Sequence, residues 1–210
     1  MNSLLILGAG GHGKVVADTA ASSGLWQKIA FLDDRYPAIK SVIDWPVVGR
    51  LEDTQKILPA YSGFVVAIGD NILRAQLLKR YLDKGFKSPH IVHPKSYVSP
   101  SAEMGPGCVV FAQGVVNPGV KMEMGGIINT GASVDHDCQL GEGVHICPGA
   151  RLAGEVHIGS HTMLATGASV IPRIHIGNNV MVAAGSVVIS NIGNNCTVAG
   201  VPARVVRADD

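Results

Sequence analysis

The chain has 210 residues, enough for one or two domains, and 47% of them are hydrophobic against 16% charged, so a substantial core can form. A net charge of +1 offers no general attraction for nucleic acid or for an anionic membrane. The apolar start from Leu4 to Leu7 is too short for a signal-peptide core or a membrane span, and the four cysteines include no close-set pair that would suggest a zinc knuckle or a disulfide framework. The expectation is a cytoplasmic protein with reduced thiols.

From Met1 to about Ile91 the pattern is βαβ. Ser3 to Leu7 reads as a buried strand, Gly8 to Gly13 (GAGGHG) as a tight turn, Lys14 to Ser23 as a helix, and Ile29 to Leu32 as a second strand ending in Asp33 and Asp34. Gly63 to Ile68 is a third strand. Asn71 to Lys84 is a helix with Ile72, Ala75, Leu78 and Leu82 at helical spacing. A small Rossmann-like domain over residues 1–91 is expected.

Gly8, Gly10 and Gly13 fit the dinucleotide fingerprint, with Asp33 placed as a ribose ligand should be. A nicotinamide reading would need the second half of the sheet and a substrate domain, and neither follows. What survives is narrower: glycine amides at a helix start suit a phosphate or another anion, and Asp33 or Asp34 a sugar hydroxyl. His12 is either a ligand contact or a helix-start residue.

From Val92 to Gly193 the period changes. Stepping by six from Val92, seventeen successive hexads carry an aliphatic residue in one phase, ending at Val188. Four places after many of these stands a small or slender residue, Cys108, Ala132, Cys138, Ala150, Thr162 and Ala168 among them. A fixed short period of this kind marks a β-solenoid. With the aliphatic residue and the one two before it pointing inward, three sides make a coil of eighteen residues. The third place after the aliphatic residue is usually Gly, and elsewhere Asp137, His161, Asn179 or Asn191, the ranking expected where φ is positive. The hexad phase ends at Asn194, before GVPAR at Gly200 to Arg204.

Four histidines sit in the second half of the solenoid: His145, His157, His161 and His175. His157 and His175, eighteen residues apart, stack on one outer face in adjacent coils. Three imidazoles drawn from two subunits would make an open zinc site of the γ-class carbonic anhydrase kind. Stacked surface histidines are more often only solvated, and the favoured expectation is no metal.

GAGGHGK, the FLDD end of the second strand, IGDNILR at Ile68 to Arg74, IVHP at Ile91 to Pro94, the hexads with INTGASVDHDCQLG, and GVPAR together cover the chain. They resemble bacterial sugar acetyltransferases with a left-handed β-helix, of the UDP-4-amino-sugar N-acetyltransferase and sialic acid O-acetyltransferase type. The resemblance implies an N-terminal nucleotide-sugar domain (1–91) and a left-handed parallel β-helix with a C-terminal tail (92–210). It implies acetyl-CoA as co-substrate and a homotrimer with the coenzyme between neighbouring subunits. Transfer to the 4-amino group of a UDP-4-amino-4,6-dideoxy-sugar is the favoured activity. O-acetylation of sialic acid or another surface sugar is the alternative, and a non-catalytic nucleotide-sugar-binding trimer a remote one.

Such chemistry asks for a general base, and histidine suits it near neutral pH. His136 lies on a corner, outside the core and free to reach a neighbouring chain, and it matches the family's catalytic histidine. Asp137 beside it would orient the imidazole and favour its cationic form. The resemblance implies that His145 approaches the acetyl thioester, that the Gly154 amide faces the acetyl oxygen, and that Arg204, or else Arg207 or Arg173, meets a CoA phosphate. For the sugar nucleotide it implies Gly10, Gly11, His12, Gly13, Asp33, Asp34, Asn71, Arg74 and Asn129.

Overall fold

A computed structural model describes residues 2–208. β1 (Ser3–Leu7) is buried along its whole length, as the aliphatic run requires of a central parallel strand. It is followed by α1 (Gly11–Ser22), β2 (Lys28–Leu32), β3 (Ser41–Val42), β4 (Trp45–Gly49), α2 (Thr54–Ile57), β5 (Gly63–Val66) and α3 (Asn71–Leu82). The sheet runs β3-β4-β2-β1-β5. β1 pairs in parallel with both β2 and β5, so the loops after these three strands open into one crevice at a switch point.

The structure departs from expectation in two places here. α1 starts at Gly11, inside the predicted turn, because glycine at φ −80°, ψ −165° (Gly10) is an adequate N-cap without a side chain. The β3–β4 hairpin had no signal of its own: β3 is two residues long, and Pro46 within β4 argues against a strand. Pro46 is tolerated because it pairs only with Ser41 of the short edge strand.

Past residue 90 the chain is a parallel β-helix of two-residue strands on three faces. The first face stacks Ile91–Val92, Val109–Val110, Ile127–Ile128, His145–Ile146, Met163–Leu164 and Met181–Val182. The second stacks strands from Tyr97–Val98 to Val187–Val188, and the third strands from Glu103–Met104 to His175–Ile176. Partners are eighteen residues apart, as in Val116↔Val134 and Leu140↔Ile158, so one coil is three hexads. Val110, Ile128, Val134, Ile146 and Leu164 are fully buried, with Cys108, Ala132, Cys138, Ala150, Thr162 and Ala168 filling the corners between them. Each fully buried branched side chain contributes roughly 1.5–3 kcal/mol.

The corners hold positive φ at Gly107, Gly119, Gly125 and their equivalents, and at Asp137, His161 and Asn179. Gln113, Glu155 and Arg173 adopt it as well. Asn191, expected there, does not. The last coil is already short, with Ile192 bridging Ile176 only sixteen residues back. The chain then lays Cys196–Gly200 beside Met181–Val182 and returns antiparallel as Ala203–Ala208, closing the first face with a hairpin. All four cysteines are buried, and none is in a disulfide.

The two parts of the chain share a core. The outward residues Ile91, Val109 and Ile127 of the first face are 2%, 2% and 1% exposed beneath Val16 and Ala20 of α1. α3 is fixed by Arg74, 1% exposed. Its guanidinium donates to the carbonyls of Gly125 (2.9 Å), Gly143 (2.7 Å) and Ile68 (3.0 Å) and to Asn71 Oδ1 (2.7 Å). Asn71 Nδ2 in turn donates to the His161 carbonyl at 3.0 Å. Arg74 and Asn71, expected as substrate contacts, therefore clamp α3 to the β-helix. A buried cation keeps its charge by saturating its donors, and little of either side chain remains for a ligand.

Candidate active site

Two places carry the expected chemistry, and they lie on opposite sides of the β-helix. The first is the crevice at the carboxyl ends of β1, β2 and β5. Gly8 turns the chain at φ 109°, and Gly13 packs against it so closely that a Cβ there would strike the Gly8 carbonyl. Gly13 is thus fixed by packing, and only its backbone is left to meet a ligand. Gly10 and Gly11 have open space where a side chain would stand. With His12, Asp33, Asp34 and Ile68 they line a cleft of about 500 Å³.

Asp33 occupies the ribose position, yet its carboxylate is already engaged. Oδ2 accepts from the Ala9 N–H at 2.8 Å, and Oδ1 from Arg35 Nε at 2.7 Å. The hydrogen bond from Arg35 holds its pKa down at about 2. Arg35 Nη2 also donates to the Ala9 carbonyl at 3.0 Å, so the pair braces the glycine turn and leaves a half-exposed cation at the cleft. Arg35 was not foreseen. A basic residue two places after the aspartate is the only signal, and it is a weak one. Asp34 Oδ1 accepts from the Leu51 N–H at 3.1 Å.

Behind the cleft His12 meets the first face of the β-helix, its ring 5.5 Å from Phe111 and 6.3 Å from His145. His145 points outward from its strand, as the alternation predicts, but α1 and its loop cover it to half-burial. Asn129 fixes its tautomer. Asn129 Oδ1 accepts from the Thr130 N–H at 2.8 Å, which leaves Nδ2 to donate to His145 Nε2 at 3.0 Å. His145 therefore carries its proton on Nδ1. That atom, like His12 Nε2, is buried with no partner among the described residues. Burial, reinforced by Arg74, lowers the pKa of His145 to about 3 and of His12 to about 4. Both are neutral imidazoles near pH 7, and His145 Nδ1–H is an unused donor.

The second place is the edge between the second and third faces, where Pro118, His136, Gly154 and Pro172 follow one another coil by coil. Asp135 Oδ1 accepts from the His136 N–H at 2.8 Å and from Asn117 Nδ2 at 3.0 Å, which sets the corner backbone. Asp137, at φ 58°, turns its carboxylate back so that Oδ2 sits 2.9 Å from His136 Nδ1. That hydrogen bond raises the His136 pKa above its ordinary value. Gly154 lies one coil on, buried, and a Cβ on it would run into His136 Nε2. No backbone carbonyl among the described residues accepts from the Gly154 N–H. The edge thus presents an imidazole anchored at Nδ1, open at Nε2, and next to an unpaired amide.

Within one chain His136 stands on the edge opposite the first face, so the fold separates it from His145, Asn129 and the glycine cleft. Of the candidate phosphate ligands, Arg204 is exposed and donates to the Ala203 carbonyl at 2.9 Å, while Arg173 pairs with Glu155 at 3.2 Å on the His136 edge. His157 and His175 do stack on the third face, and no cluster of three metal-ligating side chains occurs among the described residues.

Residues 3–81 match the family model of the PglD N-terminal domain. The whole chain is similar to the acetyltransferase domain of PglB from Neisseria gonorrhoeae FA1090, solved in complex with acetyl coenzyme A. The two are 42% identical with a TM-score of 0.94, covering 98% of this chain and 100% of that one. PerB from Caulobacter crescentus, solved with CoA and GDP-perosamine, is 37% identical with a TM-score of 0.91, covering 98% and 97%. A UDP-N-acetylbacillosamine N-acetyltransferase of Bacillus subtilis (strain 168) is 35% identical over 114 residues, 53% of this chain and 52% of that protein. The match therefore spans about half the length of that curated relative.

Proposed function

Because the chain belongs to the β-helix sugar acetyltransferase family, we propose that it transfers the acetyl group of acetyl-CoA to the amino group of a nucleotide-linked amino sugar. A UDP-4-amino-4,6-dideoxy-sugar is the first candidate. The observation that carries this reading is His136, held at Nδ1 by Asp137 with Nε2 against Gly154.

His136 Nε2 takes a proton from the sugar ammonium, or from the amine as it attacks, and Asp137 stabilises the imidazolium. The amine nitrogen forms a bond to the thioester carbonyl carbon. Negative charge on the oxygen is met by the Gly154 N–H, with the neutral His145 Nδ1–H a second donor once ligand binding uncovers that buried atom. Collapse expels CoA as the thiolate, which receives the proton, and leaves the amide. The glycine amides at the start of α1 suit the diphosphate, with Arg35 the nearby cation and Asp34 and Asn129 facing the sugar.

Since one chain cannot bring His136 to His145, a neighbouring copy completes the site. We assign this to a homotrimer in which the His136 edge of one subunit faces the first face of the next, with acetyl-CoA between them and Arg204 near its phosphates. No helix among the described residues is long and apolar enough to cross a membrane, and four cysteines outside any disulfide suit the cytoplasm.

CoA-thiol release measured against UDP- and GDP-linked amino sugars, their hydroxyl counterparts and sialic acid tests the proposal. Turnover with an amino sugar well above that with its hydroxyl counterpart is expected. Turnover confined to hydroxyl acceptors, or absent throughout, overturns it.

A further inference from the structure

The third face carries a pair of histidines to which the mechanism above assigns no role. Register places His157 directly beside His175 on adjacent parallel strands, both pointing away from the core. Their Nδ1 atoms are 3.0 Å apart, with ring centroids 4.4 Å apart and planes inclined by 45°. We propose that these two imidazoles form a chelating site for a late first-row divalent cation, Cu²⁺, Ni²⁺ or Zn²⁺.

The spacing is what such a cation needs. Metal–imidazole bonds of about 2.0–2.1 Å put two cis nitrogens about 3 Å apart at a right angle and about 3.4 Å apart at a tetrahedral one. The observed pair sits at the lower figure, and both side chains are exposed enough to rotate the lone pairs onto a common centre. One Nδ1 now donates to the other. Binding shifts that proton to the same ring's Nε2, so both imidazoles ligate in the neutral form and no proton is lost.

The surroundings favour a cation of this class. Gln139 lies beside His157 on the next strand, and Asn191 Oδ1 takes the His175 N–H at 2.9 Å. Of the nearby charges, Glu155 and Arg173 on the adjoining edge pair with each other at 3.2 Å, Lys121 and Glu103 farther along the face pair at 3.5 Å, and Glu123 also lines the groove. The pair borders an open groove of about 800 Å³, so water fills the remaining coordination positions. Two nitrogen donors and no carboxylate select imidazole-seeking metals over Mg²⁺ or Ca²⁺. A bound ion would staple two successive coils together and so raise the melting temperature by binding only the folded chain.

Calorimetric titration of the tag-free full chain with CuCl2, NiCl2, ZnCl2 and MgCl2 tests the site, with His157→Gln and His175→Gln as separate variants. One transition-metal ion per chain is expected, none for Mg²⁺, and an affinity at least about tenfold weaker in either variant because one imidazole then binds alone. Melting should shift upward with NiCl2 in the parent chain and not in the variants, while acetyl transfer without added metal stays unchanged in all three. His175→Asn serves as a second variant if the glutamine fails to fold. Stoichiometric binding retained in both variants, or no binding by the parent chain, overturns the proposal.

Discussion

Asp137 Oδ2 stands 2.9 Å from His136 Nδ1 at a corner where Asp137 alone supplies the positive φ. One residue thus turns the backbone and anchors the imidazole. A base acts only when neutral, so turnover should rise with pH through the raised His136 pKa. Asp137→Asn keeps an acceptor for Nδ1 but removes the carboxylate charge that favours the imidazolium, and the acid limb of the kcat/KM profile should move to lower pH. His136→Ala should lower kcat by a factor on the order of a hundred or more. An unchanged limb in the first variant, or near-normal kcat in a folded second one, contradicts the assignment.

Gly154 leaves the space that His136 Nε2 occupies. Gly154→Ala should displace the imidazole without disturbing the coil, and kcat should fall by up to about a hundredfold, the scale of an ångström misplacement. The circular dichroism spectrum and melting temperature should stay close to those of the parent. Full activity in the alanine variant would mean that the base works from another position.

Asn129 holds the His145 proton on Nδ1. Asn129→Asp turns the donor into an acceptor, draws the proton to Nε2 and strips Nδ1 of its hydrogen. Loss of one such donor should cost on the order of a hundredfold in kcat, with a smaller change in the KM for the sugar nucleotide. A purely structural role would instead lower stability and leave kcat intact.

Arg74 satisfies carbonyls of Gly125 and Gly143 from across the domain junction. Arg74→Met orphans those buried acceptors and should destabilise the fold by about 3 kcal/mol, read as a lower denaturant midpoint. Because Arg74 also helps to depress the His12 and His145 pKa values, both should rise, measurable by NMR titration. Unchanged stability would return Arg74 to the list of ligand contacts.

If the site is shared between subunits, two inactive variants should complement each other. His136→Ala lacks the base, and Gly11→Trp blocks the glycine cleft from open space. Mixed and reassembled oligomers should recover a measurable share of activity, since some interfaces combine an intact edge with an intact cleft. No recovery in verified mixed oligomers would place both halves in one chain.

By itself the sequence determined the β-helix, its eighteen-residue coil, most positive-φ corners and the βαβ start. These follow from local periodicity, since each inward aliphatic residue and each corner glycine meets the same environment a coil away. It also singled out His136, whose corner place is a matter of phase. Only the tertiary structure decided what the residues at the junction do. Arg74 and Asn71 look like ligand residues in a motif, yet their donors are taken up by carbonyls that α3 meets only when the domains pack. The neutral state of His145 and its Nδ1 proton depend on burial beneath α1 and on Asn129, sixteen residues away just past the neighbouring strand. Burial and the partner of a polar atom are properties of the packed chain, and no spacing along the sequence encodes them.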